Sequence, residues 1–323
     1  MTDFGYVLSS EEHGPTTLVA NATKAEAAGF EYLSVSDHYH PWVQTQGHSP
    51  FVWSLLGAIA QATDRVRVGI GVTCPIIRIH PAVLAQAAAT TSLLFEGRFF
   101  FGLGTGEALN EHVLGDKWPI PEERRAMLIE AIDVMQQLWT GETVDHHGEH
   151  YTVENARLFD PPASPIPLIL SGFGSDSAED LARLADGYWN TSPDADLVQA
   201  YRDAGGTGPR YAELTVCWSE DVEDGRRTVH EHWPNSGLPG QLAQDLQTWT
   251  HFEQATSALS IDQTTEDIPC GPDLQPFVDQ VRTYVDAGFD HLHFHQIGED
   301  QEGFLRFWTE QLQPALARQD LAA

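Results

Sequence analysis

The side chains best suited to chemistry gather in a few short stretches of the chain. Ser36-Asp37-His38-Tyr39-His40-Pro41-Trp42 sets a carboxylate, imidazoles and an indole within seven positions. Imidazole is the side chain that most readily exchanges a proton near neutral pH, so an Asp-His pair reads either as a general base with its support or as a structural hydrogen bond. Gly102-Leu103-Gly104-Thr105-Gly106-Glu107 ends in a carboxylate that could donate a proton or simply cap the next helix, where the macrodipole favours negative charge. These glycines lack the G-x-G-x-x-G spacing of a nicotinamide site. In Gly172-Phe173-Gly174-Ser175 the backbone can approach a ligand closely. The N–H groups of a helix starting near Ser177 could then hold a phosphate without lysine, the alternative being a tight turn that holds nothing. His291, His293 and His295 alternate with Leu292 and Phe294, which puts three imidazoles on one side of a strand. They support two readings: a metal-dependent hydrolase with Asp37 and His38 as further ligands, or histidines lining an interior.

Positioning these groups falls to alternating strands and helices. Strands are expected at Gly5–Leu8, Tyr32–Ser36, Val66–Thr73, Arg98–Leu103, Ile166–Leu170, Gly187–Thr191, Glu213–Trp218 and His291–His295, from their β-branched and aromatic content. Helical periodicity runs through 16–28, 51–62, 82–95 and 122–139, with Pro81 and Gly97 bracketing the third. Near the end, Phe277, Val281, Tyr284 and Val285 form another apolar stripe, closed by Gly288. Eight strands with helices between them in 323 residues fit a single (β/α)8 barrel over residues 1–323, an α/β TIM barrel, better than a doubly wound sheet. Residues 219–271 are polar, acidic and irregular and read as an insertion over one end. In such a barrel the chemistry sits at the C-terminal strand ends, and the clusters above fall there.

Charge narrows the partners. Forty-seven Asp and Glu against 17 Lys and Arg give a net charge of −30, and only Lys24 and Lys117 are lysines. Nucleic acid and anionic membranes are excluded as partners. Over a folded surface of roughly 13,000 Å² this is about one net negative charge per 440 Å², which suits a cytoplasm of concentrated salt, where the Debye length falls to about 3 Å. Cys74, Cys217 and Cys270 are too few and too far apart for a disulfide frame and read as reduced thiols. The N-terminus lacks a signal-peptide pattern, and no apolar run is long enough to span a bilayer.

Together, Ser36–Trp42, Gly47-His48-Ser49-Pro50-Phe51 and Gly104-Thr105-Gly106-Glu107-Ala108-Leu109-Asn110-Glu111 resemble the coenzyme F420-dependent glucose-6-phosphate dehydrogenase family, within the luciferase-like flavin and deazaflavin oxidoreductases. The likeness continues through Ala185-Asp186-Gly187 to His291–His295, covers nearly the whole chain and is weakest over 219–271. It implies a luciferase-like barrel, a homodimer, coenzyme F420 as cofactor, and hydride transfer between an alcohol carbon and the deazaflavin. It further implies His38 as general base, Trp42 packed over the reacting groups, and Glu107 as proton donor to the reduced ring. Glu11 joins His38 and Trp42 around the substrate. The cofactor falls to Asp37, Gly71, Val72, Thr105, Gly106, Gly172, Phe173, Gly174 and Ser175, with no metal. Family members carry a cis peptide before the position of Val72. An FMN-dependent monooxygenase on the same scaffold is the alternative. The family holds a sugar phosphate with two lysines and an arginine, whereas this chain has no lysine after Lys117. Its matching stretches, such as Ser192-Pro193-Asp194 and Thr265-Glu266-Asp267, offer carboxylates, so a neutral alcohol, or a sugar other than glucose 6-phosphate, is expected instead. Arg78, Arg157, Arg202 and Arg210 are the cations left to face the mouth.

Overall fold

Runs such as Phe99-Phe100-Phe101 and Leu168-Ile169-Leu170 can be apolar throughout because each strand is covered on both faces, as parallel sheets require. In a computed structural model describing residues 2–172, 178–319 and 321, eight such strands close into a parallel barrel. They are β1 (Asp3–Leu8), β2 (Tyr32–Val35), β3 (Arg67–Thr73), β4 (Phe99–Leu103), β7 (Leu168–Ser171), β8 (Gly187–Asn190), β9 (Arg210–Val216) and β10 (His291–Gln296), and β10 pairs with β1. All eight expected strands are present, each shifted by no more than three residues at an end. An antiparallel hairpin, β5 (Val144–His147) with β6 (Thr152–Ala156), lies outside the barrel and was not expected.

The outer layer consists of α1 (Pro15–Ala27), α2 (Val52–Ala62), α3 (Pro81–Leu94), the short α4 (Ala108–Glu111), α5 (Pro121–Trp139), α6 (Ala178–Leu184) and α7 (Ala195–Asp203). The segment read as irregular is largely helical: α8 (Val222–His232), α9 (Leu242–Asp245), α10 (Trp249–Thr256) and α11 (Ile261–Thr264). Asp221, Thr248 and Ser260 cap three of these helices through their side chains, a local signal stronger than the segment's weak periodicity. Its two ends meet where Cys217 and Cys270 pair in a parallel bridge. The chain closes with α12 (Leu274–Ala287), α13 (Gln301–Phe307) and α14 (Gln313–Arg318).

Tyr32, Phe100, Ile169, Trp189 and Tyr211 fill the barrel interior as a cluster distinct from the larger core beneath the helices. The accessible surface is 13949 Å², close to the size-scaling expectation.

Candidate active site

A cavity of about 230 Å³ opens at the C-terminal mouth of the barrel. Every barrel strand except β2 and β4 contributes residues of its own to the wall, and those two contribute the residues just beyond them, Ser36, His38 and Gly104–Glu107. His38 sits with Nδ1 3.3 Å from Glu11 Oε1, both side chains almost wholly buried. Glu11 Oε2 accepts hydrogen bonds from Ser36 Oγ at 2.6 Å and Ser9 Oγ at 3.1 Å, so the carboxylate is fixed from two strands. The Trp42 ring meets the His38 ring edge-on at 5.0 Å and is backed by Phe252 of α10 at 5.1 Å. Ser49 Oγ donates to the His38 carbonyl. The three residues expected at the substrate therefore meet in one wall.

Opposite them, the Gly71–Val72 peptide is cis, and the β3–β4 register shifts between Ile70 and Thr73. A side chain at Gly71 would place its Cβ 2.4 Å from the Trp189 indole, so the backbone there lies flat on the interior cluster. Gly106 has φ +70°, and a Cβ there would meet Cys74 Sγ at 2.5 Å, so glycine is needed on both counts. Glu107 precedes α4 but its side chain accepts no helix N–H; the carboxylate lines the cavity, 3.4 Å from Asn110 Nδ2. Asn110 Oδ1 in turn accepts from the backbone N–H groups of Tyr39 and His40, tying the loop after β2 to the loop after β4.

Asp37 departs from expectation. Its carboxylate does not line the cavity; it is buried beneath it, accepting from Thr73 Oγ1 at 2.7 Å and lying 2.9 Å from Arg78 Nη2. Arg78 also donates its backbone N–H and Nε to Glu111. Burial pushes the Glu111 carboxyl up to about 7, against the opposing pull of Arg78. Arg78 is thus neutralised under the floor. Arg157 lies over the exposed Phe159 ring, and Arg202 and Arg210 bond to Gly288 at the N-terminal end of the barrel, so none of the four arginines serves the mouth.

Arg124 and Arg125, which the sequence reading passed over, line a second cavity of about 200 Å³ that shares Thr105, Ser171 and Gln244 with the first. Gly172 lines it too. Phe173, Gly174 and Ser175 lie outside the described residues. An Arg-Arg pair in the first turns of a long helix, just past a Gly-rich strand end, was the available signal.

The three histidines of β10 do face inward, since Leu292 and Phe294 join the outer core. They do not converge. His291 is held by Asp290 and Asp3, and His293 packs against Trp189 with tilted rings 4.2 Å apart and has no hydrogen-bond partner among the described residues. His295 lies between Glu12 Oε2 at 3.2 Å and Glu213 Oε1 at 3.4 Å. Burial alone would strip the His295 proton, but the two carboxylates outweigh it and carry the imidazole up to about 10. Among the described residues no group of three His, Cys, Asp or Glu is arranged to hold a metal.

The luciferase-like monooxygenase family profile matches residues 2–291. The chain is 37% identical over 325 residues to an F420-dependent glucose-6-phosphate dehydrogenase of Nakamurella multipartita, covering 97% of this chain and 96% of the relative. It is 36% identical to the enzyme of the same name from Segniliparus rotundus, covering 97% of each. Among solved structures, an F420-dependent secondary alcohol dehydrogenase in complex with an F420–acetone adduct superposes with a TM-score of 0.87 at 25% identity, over 96% of this chain and 97% of the other. The chain belongs to the luciferase-like family and, within it, to the branch of F420-dependent dehydrogenases.

Proposed function

We propose that the protein is an F420-dependent dehydrogenase or reductase acting on the CH–OH group of a neutral alcohol, or on its carbonyl in reverse. The observation that carries this reading is the Glu11–His38–Trp42 wall facing the glycine-lined ledge of Gly71, Val72, Gly104 and Gly106 across one cavity. The ledge fits a planar ring system: at Gly71 and Gly104 a Cβ would collide with Trp189 and Val72, so only bare backbone is presented. When bound, F420 supplies a hydride acceptor in its deazaflavin ring. Val72, Thr105 and Gly106 would hold that ring, and Gly172 with the residues that follow it in sequence would take its phosphate. His38 removes the hydroxyl proton of the alcohol, and Glu11, fixed by two serines, keeps the imidazole turned toward the cavity. Trp42 excludes water from that side, and Glu107 is the group at the ledge that would pass a proton to the reduced ring. Asp37 acts as a positioning residue, joining the end of β2 to Thr73 and Arg78.

The cavity wall bears Glu11, Glu107 and Glu213 and neither lysine nor arginine. A phosphate dianion would meet carboxylates there, which argues against glucose 6-phosphate as substrate. The test is quenching of tryptophan fluorescence by oxidised F420 in molar salt, followed by anaerobic reduction of F420 with an alcohol panel. Absence of quenching, or product that forms only with oxygen, would overturn the reading.

Several coarser assignments belong to the same proposal. Residues 1–323 form one barrel domain, with 219–271 as its insertion. Three free cysteines support a cytoplasmic setting, and the charge supports concentrated salt. A homodimer is supported by α2 and α3, which carry no Asp, Glu, Lys or Arg in a chain of net charge −30, while Val83 and Leu94 stand exposed on α3 beside Phe51.

A further inference from the structure

Resting on the F420-dehydrogenase reading, we propose that Glu213 determines specificity and selects an unphosphorylated polyol, a substrate with a free hydroxyl remote from the reacting carbon. Glu213 sits in β9 between Ala212 and Leu214, which are buried in the outer core, so its carboxylate turns into the barrel and reaches the cavity wall. Oε1 lies 3.4 Å from His295 Nδ1, while Oε2 lies 4.0 Å from His293 Nε2, beyond hydrogen-bond distance, and retains accepting capacity. Asn235, which also lines the cavity, carries a buried Oδ1 with no donor among the described residues.

The Glu12–His295–Glu213 cluster has two carboxylates to one imidazolium, so it keeps net negative charge at this end of the cavity. Two acceptors and an excess negative charge call for donors on the ligand and repel phosphate. A simple monoalcohol would leave both acceptors desolvated and unpaired, which is the strongest means a site has of rejecting a substrate that lacks a hydroxyl.

The experiment is twofold. First, calorimetric binding of 1,5-anhydroglucitol, a polyol without the reactive anomeric hydroxyl, is compared with cyclohexanol on the wild-type protein, Glu213→Gln and Asn235→Ala, each checked for the wild-type thermal transition. Asn235→Ala alters only the insertion and keeps the test open if Glu213→Gln fails to fold. Binding of the polyol is expected, weakening by about 10- to 100-fold in Glu213→Gln, the worth of a hydrogen bond to a charged group, and by about 3- to 10-fold in Asn235→Ala. Second, with F420 present, the kcat/KM ratio of D-glucose to cyclohexanol should fall in both variants, and that of glucose 6-phosphate to D-glucose should rise in Glu213→Gln. Equal binding of polyol and cyclohexanol, or ratios unmoved by both substitutions, overturns the proposal. Failure of the dehydrogenase reading shows separately, as loss of F420 quenching while the calorimetric comparison still reports on Glu213.

Discussion

In the proposed mechanism His38 and Glu11 divide one task between a group that takes the proton and a group that aims it. His38→Ala should lower kcat/KM by about 10²- to 10⁴-fold while F420 still quenches tryptophan fluorescence, because the proposed role of the imidazole is toward the alcohol and not the ledge. Glu11→Gln should lower kcat by about 10-fold or more with KM little changed, since the amide keeps the shape but not the charge that orients His38. His295 makes a different prediction. Its folded-state value of about 10 lies above the ordinary imidazole value of 6.5, so the native state retains the proton. Its contribution to stability is complete below about pH 6.5 and is lost as pH rises through about 10. The melting temperature should therefore fall between pH 7 and pH 10, and His295→Gln should flatten most of that fall. A variant with the same alkaline slope as the wild type would show that another group is responsible.

At the scale of elements, the ledge is set by what β3 and β4 omit. Gly71→Ala must displace either the Trp189 indole or the strand itself, and overpacking of this kind costs about 1–3 kcal/mol. The expected outcome is a lower melting temperature together with at least tenfold weaker F420 binding, measured by fluorescence titration. The eight strands were legible in the sequence because two-sided burial leaves continuous apolar runs such as Phe99–Leu103. The β5–β6 hairpin was not, because polar residues such as His146, His147 and Asn155 surround only two buried positions, Val144 and Val153. His38, Trp42 and Glu107 could be named because each follows a strand in a distinctive local cluster. Glu12, Glu213 and Arg124 could not, since each acts across elements far apart in sequence. Asp37 could be named from its place just after β2, but its neighbours in sequence do not disclose that it meets Arg78, 41 positions on.

Over the whole molecule, 47 acidic residues share 13949 Å² of surface. Raising KCl from 0.1 to 2 M should raise the melting temperature, with each kcal/mol of relieved repulsion worth roughly 2 °C in a domain of this size. A flat response would remove the case for adaptation to salt. The uncharged face of α2 and α3 makes the companion prediction of a dimeric mass by light scattering, reduced to a monomer by the pair Val83→Glu and Leu94→Glu.

The meeting of Cys217 and Cys270 has an evolutionary meaning. Because the chain leaves the barrel at β9 and returns beside the same point, everything between them behaves as a cassette whose ends do not move when its contents change. Trp233, Asn235 and Gln244, which line the cavity, all ride on it, whereas the proton-handling wall and the ledge belong to the barrel. Lineages could exchange this segment and acquire new substrates while inheriting hydride chemistry intact, and a designer could graft it between relatives at the same two positions.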